Sequence, residues 1–207
     1  MKQRLPDAID LKIDIGGLNA VFTRHRNQWS IPNGARVRRD GRIITVSRPR
    51  ETNCDFGEGP FSTLVLRWGD VSTAYYSTGI KNIEVRMAVT PPLRIAISLP
   101  GFARKIFGMP FVQSFLKAQI ARMPEGPSDE VLRTGRRVLV GVTNTNGENA
   151  RARVTTGQGN LLTAQAGVEI ARRVIVGEVK VGFQTPSLLY GSDLILQFEG
   201  ATREELK

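Results

Sequence analysis

Two residue types that commonly build active sites are almost missing from this 207-residue chain, which has one cysteine and one histidine. A single cysteine, Cys54, excludes an internal disulfide and fits a reducing cytoplasm. With no CxxC partner and no nearby histidine, it reads as an inert thiol rather than a nucleophile. His25 lies in Arg24-His25-Arg26, where flanking positive charge disfavours the imidazolium, and a lone histidine supports neither a metal site nor a triad. No metal site is expected. Apolar runs are all broken by Arg, Lys, Gly or Pro well short of the roughly 20 residues that a membrane-spanning helix needs. The segment Met1-Lys2-Gln3-Arg4-Leu5-Pro6-Asp7 has no apolar core of a secretory signal. Together these features point to a cytoplasmic protein, with contact to a membrane surface left open.

Arginine, by contrast, is abundant. Lys and Arg number 29 against 19 Asp and Glu, a formal net charge of +10. Eight arginines (Arg24, Arg26, Arg36, Arg38, Arg39, Arg42, Arg48 and Arg50) fall between Val21 and Arg50 with only Asp40 opposing them. A cationic face is expected, which could attract nucleic acid, a phosphorylated cofactor, an acidic carrier protein or anionic lipid; composition does not choose among these. A solvated arm without a particular partner fits as well. Nucleic acid has no support beyond charge, because no aromatic except Trp29 is interleaved with the arginines to stack bases.

With 41% hydrophobic residues the chain can bury a sizeable core as one domain, 1–207. Ala8 to Ile15 alternates Ile9, Leu11, Ile13 and Ile15 with Asp10, Lys12 and Asp14, the period of a half-buried strand. Strands are also expected at Arg42–Ser47, Ser62–Trp68 and Asn82–Val89, the last with Glu84 and Arg86 on its polar side. Turns fall at Pro32-Asn33-Gly34 and Arg39-Asp40-Gly41. Arg136–Val142 and Ala150–Thr156 flank Asn146-Gly147, a hairpin signal because both residues tolerate positive φ. Asp70 is placed to cap a short helix running through Tyr76. A glycine-bounded helix is expected from about Asn160 to Val176, followed by a Gly-Glu turn and, beyond Tyr190-Gly191-Ser192-Asp193, a terminal apolar strand. Between Pro91 and Met123 lie five basic residues and no acid, and two helices broken near Pro100-Gly101 and Gly108-Met109-Pro110 fit this stretch. They read either as a layer covering the sheet or as a surface for lipid or a long acyl chain. The fold class expected is α+β, a mostly antiparallel or mixed sheet with helices on one face.

Two blocks carry a family likeness: Trp68-Gly69-Asp70-Val71-Ser72-Thr73-Ala74-Tyr75-Tyr76-Ser77-Thr78-Gly79-Ile80, running into Asn82-Ile83-Glu84-Val85, and Gly157 to Asp193 with its Gly182-Phe183-Gln184-Thr185-Pro186. With Glu125-Gly126-Pro127-Ser128 between them, the order resembles the C-terminal region of saccharopine dehydrogenase-like oxidoreductases, in particular the branch with the trans-acting enoyl reductases. Asn19 to Ser30 departs from the shorter Ser/Gly/Thr-rich segment of that family. The resemblance implies a substrate-binding and dimerisation domain whose N-terminal Rossmann domain, holding NAD(P), is absent. The residues themselves contain no strand followed by GxGxxG, and Gly157-Gln158-Gly159 lacks the third glycine and the later acid, so no cofactor-binding residue is assigned.

A chain starting where the family leaves its Rossmann domain reads as a fragment, inactive alone; a free-standing binding module with a basic face is the alternative. The partners expected are a second copy, the missing Rossmann domain, and an acyl chain, acyl-carrier protein or anionic lipid. Reducing a conjugated double bond needs a proton donor, for which Tyr76 and Tyr75 are the candidates, against the simpler role of core residues with rim hydroxyls. Substrate contacts are assigned to Asp70, Trp68 and Thr185, although capping explains Asp70 and a turn explains Thr185 without a ligand.

Overall fold

The computed structural model describes residues 3–16, 34–47, 50–57, 59–89, 109–121 and 135–206. In chain order the strands are β1 (Asp10–Gly16), β2 (Ala35–Arg39), β3 (Arg42–Val46), β4 (Glu51–Asp55), β5 (Pro60–Val65), β6 (Asn82–Ala88), β7 (Arg136–Thr143), β8 (Asn149–Thr156) and β9 (Thr202–Leu206). The helices are α1 (Asp70–Thr78), α2 (Pro110–Ala121), α3 (Gly159–Ile175) and α4 (Pro186–Tyr190), with a 3₁₀ turn at Leu194–Gln197. The strands form one mixed sheet in the order β3-β2-β6-β1-β7-β8-β9, and the β4–β5 hairpin joins it through β6. The expected α+β class is found.

The centre of the sheet is the parallel pair β1–β6, flanked by the antiparallel strands β7 and β2. Leu11, Ile83, Val85 and Val142 line one face and meet Val71 of α1 and Ile80, forming the main core. The alternation marks β1 as a half-buried strand, yet the opposite face is covered as well. Cys54 and Phe56 of the β4–β5 hairpin pack there against Ala88 and Leu139. Asp14 is therefore buried and Arg86 half-buried, and their positions directly across β1–β6 allow an ion pair of 2.6 Å. A strand shows period two whether its polar side meets water or a second layer, so the pattern alone could not distinguish these cases.

Turn chemistry accounts for several other outcomes. Asp40 and Gly41 have φ of 48° and 79°, and with Arg39 opposite Arg42 they make the two-residue turn that joins β2 to β3. The expected β7–β8 hairpin is found, and at its turn Gly147 has the positive φ, of 83°. The organiser of that loop is Asn144, whose side-chain oxygen accepts from the amides of Asn146 and Glu148, each at 3.0 Å. The terminal strand is also displaced. Leu194–Gln197, read as an apolar strand, is a 3₁₀ turn, and the last strand is the polar Thr202–Leu206. That strand forms because its residues match β8, with Glu204 opposite Arg153 and the pair bonded at 2.7 Å. Strands β2 and β4 escaped the sequence reading because Ala-Arg-Val-Arg-Arg and Glu-Thr-Asn-Cys-Asp carry little β propensity of their own. Of the two helices expected in Pro91–Met123, the second is α2, opening at Pro110. The first lies outside the described residues.

Candidate functional site

Helix α1 carries most of the expected site. It starts after Gly69, which occupies the cap position without a side-chain bond, so Asp70 is the first helical residue and not the cap. Its carboxylate accepts from Thr73 Oγ1 at 3.4 Å and from the Trp68 side chain. Burial pushes the Asp70 carboxyl above the usual carboxylate range, and the two hydrogen bonds counter this in part. A negative charge in the first turn also suits the helix dipole. Trp68 is half-buried and packs on the main core, so its role in this geometry is support. The helix continues past Tyr76 to Thr78 and ends at Gly79 with φ of 71°.

The two tyrosines differ in environment. Tyr75 packs against the core, and the Arg38 guanidinium stacks 4.1 Å from its ring centroid. Arg38 is itself buried, with Nε donating to the Val71 carbonyl at 3.1 Å and Nη1 to that of Gly41 at 2.5 Å. This arginine ties α1 to the β2–β3 turn. Tyr76 is 57% exposed, and its ring lies 4.9 Å from that of Phe183. Next to this aromatic pair, Thr185 is buried, caps α4 by accepting from Leu188 N, and shares a 2.9 Å hydrogen bond with Ser77 Oγ. Ser187 Oγ completes the group, 3.1 Å from Thr185 Oγ1 and 3.2 Å from Ser77 Oγ.

The fold thus joins Tyr76 and Thr185 at the C-terminal end of α1 and adds Ser77, Phe183 and Ser187, which the sequence reading missed. Trp68 and Asp70 are at the other end of the helix, separated by a rise of ~10 Å. Phe183 and Ser187 fall inside the second family-like block, but nothing in the sequence pairs that block with Ser77. The arrangement can stack a planar group on Tyr76 and Phe183 and orient polar atoms by hydroxyls, with Tyr76 as the accessible phenol.

A second polar group lies under the β4–β5 hairpin. Arg86 donates to Asp14 at 2.6 Å and to Thr52 Oγ1 at 2.9 Å, while Thr63 Oγ1 reaches the Thr52 carbonyl at 3.0 Å. Cys54 is beside this group, and burial, followed by the negative charge of Asp14, pushes its thiol up to about 12. That makes it a neutral, inert thiol, as expected from the sequence. Arg86 Nε, buried and without a hydrogen-bond partner, is the one unmatched donor of the group.

The glycine pair at the start of α3 lies in a setting different from that of a dinucleotide-binding turn. Strand β8 is antiparallel to both β7 and β9, unlike the parallel βαβ crossing of a dinucleotide site. At the helix N-terminus the buried Gln158 accepts from Leu161 N at 2.8 Å, using an amide that a phosphate would need. A Cβ on Gly159 would come within 3.1 Å of Arg136 Nε, so this glycine makes room for an arginine of the chain itself. Among the described residues no group of three or more His, Cys, Asp or Glu could hold a metal ion. The expected cationic face is thinned by the fold, since Arg38 is buried and Arg39 is ion-paired with Glu84, leaving Arg36, Arg42 and Arg50 exposed. Arg24, His25, Arg26, Trp29 and Arg48 lie outside the described residues.

No family model matches the chain, and no curated protein matches it. In structure it is similar to an apo, histidine-tagged saccharopine dehydrogenase (L-Glu forming) from Saccharomyces cerevisiae, with a TM-score of 0.50 and 12% sequence identity. The match covers 97% of this chain and 68% of that one. At this identity the likeness is one of fold.

Proposed function

We propose that this chain is the substrate-side domain of a saccharopine dehydrogenase-like, NAD(P)-dependent oxidoreductase, contributing a substrate wall and subunit contacts, with the cofactor held by a Rossmann domain outside these residues. The observation that carries the reading is the fold likeness to a saccharopine dehydrogenase, which extends over 97% of the chain. The bare outer side of α3 adds support: Leu161, Ala164, Val168, Ala171 and Ile175 recur at helical spacing, all exposed. Such a stripe suits packing against another domain or a second copy.

In this reading the chain's own residues supply orientation and a proton. Tyr76, at the exposed end of α1, is the donor through its phenolic oxygen, while Ser77, Thr185 and Ser187 fix a polar group of the substrate. Tyr75, pinned beneath Arg38, positions Tyr76. The enoyl reductase-like branch is the finer assignment, which the sequence of the Trp68–Val85 block supports and which makes a conjugated thioester the substrate class.

The 207-residue chain alone, titrated with NADPH, should give no saturable fluorescence change. Co-expressed with the coding region upstream, it should oxidise reduced cofactor with enoyl thioesters, and Tyr76→Phe should lower kcat by about 10²-fold, in the range of a lost general acid. Imino acids in place of enoyl thioesters would keep the oxidoreductase and discard the branch. Micromolar NADPH binding by the isolated chain, or no activity with either substrate class after co-expression, would overturn the reading, the latter in favour of a binding module.

A further inference from the structure

We propose that α2 is a docking element that seats this protein on the surface of an anionic lipid bilayer. This inference does not depend on the oxidoreductase reading. Met109, Phe111 and Phe115 are 44%, 66% and 62% exposed, and the two phenylalanines, four residues apart, share one side of the helix. Ser114 and Ala118 are exposed as well, and Ser114 directs its hydroxyl back to the Pro110 carbonyl at 2.9 Å, which satisfies its donor within the helix. The result is a surface where two large aromatics protrude and a polar side chain between them needs no water to donate to. Single exposed apolar residues are common on proteins, but adjacent protruding phenylalanines are an interaction surface.

Charge identifies the occupant. From Pro91 to Met123 the sequence has Arg94, Arg104, Lys105, Lys117 and Arg122 and not one acid. A stretch of sequence that combines exposed aromatics with charge of one sign matches the negative potential and apolar interior of an anionic membrane surface. On α3, by contrast, an acid lies among the basic residues, with Glu169 bridging Arg172 and Arg173. Length excludes spanning: the 12 residues of α2 rise ~18 Å against a hydrocarbon core of about 30 Å, so the helix would lie in the interface plane. No described helix is long and apolar enough to cross a membrane.

The test is co-sedimentation of the 207-residue protein with vesicles of phosphatidylcholine alone or mixed with phosphatidylglycerol. Binding to the mixed vesicles, weakened by salt and by at least about 10-fold in Phe111→Ser/Phe115→Ser with unchanged circular dichroism, is the expected result. As a second measurement, Phe111→Trp should gain fluorescence that is quenched by brominated acyl chains. Equal binding to neutral vesicles, equal binding by the double serine variant, or no quenching of the introduced tryptophan would overturn the proposal. So would absence of vesicle binding together with Phe111- and Phe115-dependent binding to an acidic acyl-carrier protein, which would assign the same surface to a protein.

Discussion

A glycine at the end of β1 sets how closely the β4–β5 hairpin approaches the sheet. A Cβ at Gly16 would lie 2.5 Å from Phe56 Cε2, and Phe56 is 1% exposed, so the ring has no free space to enter. Gly16→Ala is expected to destabilise the fold by about 1–3 kcal/mol, as overpacking does, read from urea unfolding. An unchanged midpoint would show that the hairpin shifts without strain. Cys54, two residues before that ring, gives a pH prediction. Its thiol is raised from an ordinary 9.0 to about 12, chiefly by burial. A folded pKa above the unfolded one makes the neutral thiol's contribution complete below about pH 9 and lost as the pH rises toward 12. Aromatic disulfide reagents should therefore label Cys54 in urea and leave the native protein unlabelled near neutral pH. Labelling at equal rates in both states would show that the β4–β5 hairpin does not shield it.

At the scale of elements, the β1–β6 register is fixed by charge as well as by apolar alternation. Asp14 opposes Arg86 and is ion-paired with it, so a slip of β1 by one residue would break that pair and turn Leu11 and Ile13 away from the core. Asp14 and Arg86 side chains are 4% and 12% exposed, deep enough that removing one leaves the other without compensation. Arg86→Met should destabilise by about 3–5 kcal/mol, while Asp14→Leu/Arg86→Met should cost markedly less than the sum of the single changes. Additive losses in that unfolding cycle would mean that the pair carries no coupling. The alternations of β1 and β6 were legible in the sequence because each obeys a local period. Their partnership, and the covering of Asp14 and Arg86, were not, because the hairpin over them is set by contacts such as Phe56 with Gly16, 40 positions apart.

For the whole molecule, α3 leaves a long apolar stripe uncovered by its own chain. None of its 17 residues is buried, and Val168 and Ile175 are 73% and 84% exposed one heptad apart. Its acid is already engaged: Arg172 and Arg173 hold the Glu169 carboxyl down to about 2 by hydrogen bonding, so the helix offers a partner mainly apolar surface. Val168→Lys/Ile175→Lys should change unfolding free energy by no more than about 0.5 kcal/mol, since surface sites tolerate substitution, yet lower the binding of a hydrophobic dye. A loss of stability on the scale of a core change would show that these residues are packed in solution. The same substitutions, made in the co-expressed protein, would reveal whether the stripe holds a second domain.

The amino-acid sequence by itself determined the local terms: the alternation of β1 and β6, the Asp40-Gly41 turn and the extent of α3, each dictated by neighbours within a few residues. Tertiary structure alone decided which polar residues are buried, why Ala35–Arg39 and Glu51–Asp55 are strands, and that Tyr76 meets Phe183 while Thr185 meets Ser77. The physical reason is that burial and pairing depend on segments far apart in the chain, 108 positions for Ser77 and Thr185, and a residue's propensity records nothing about what folds over it.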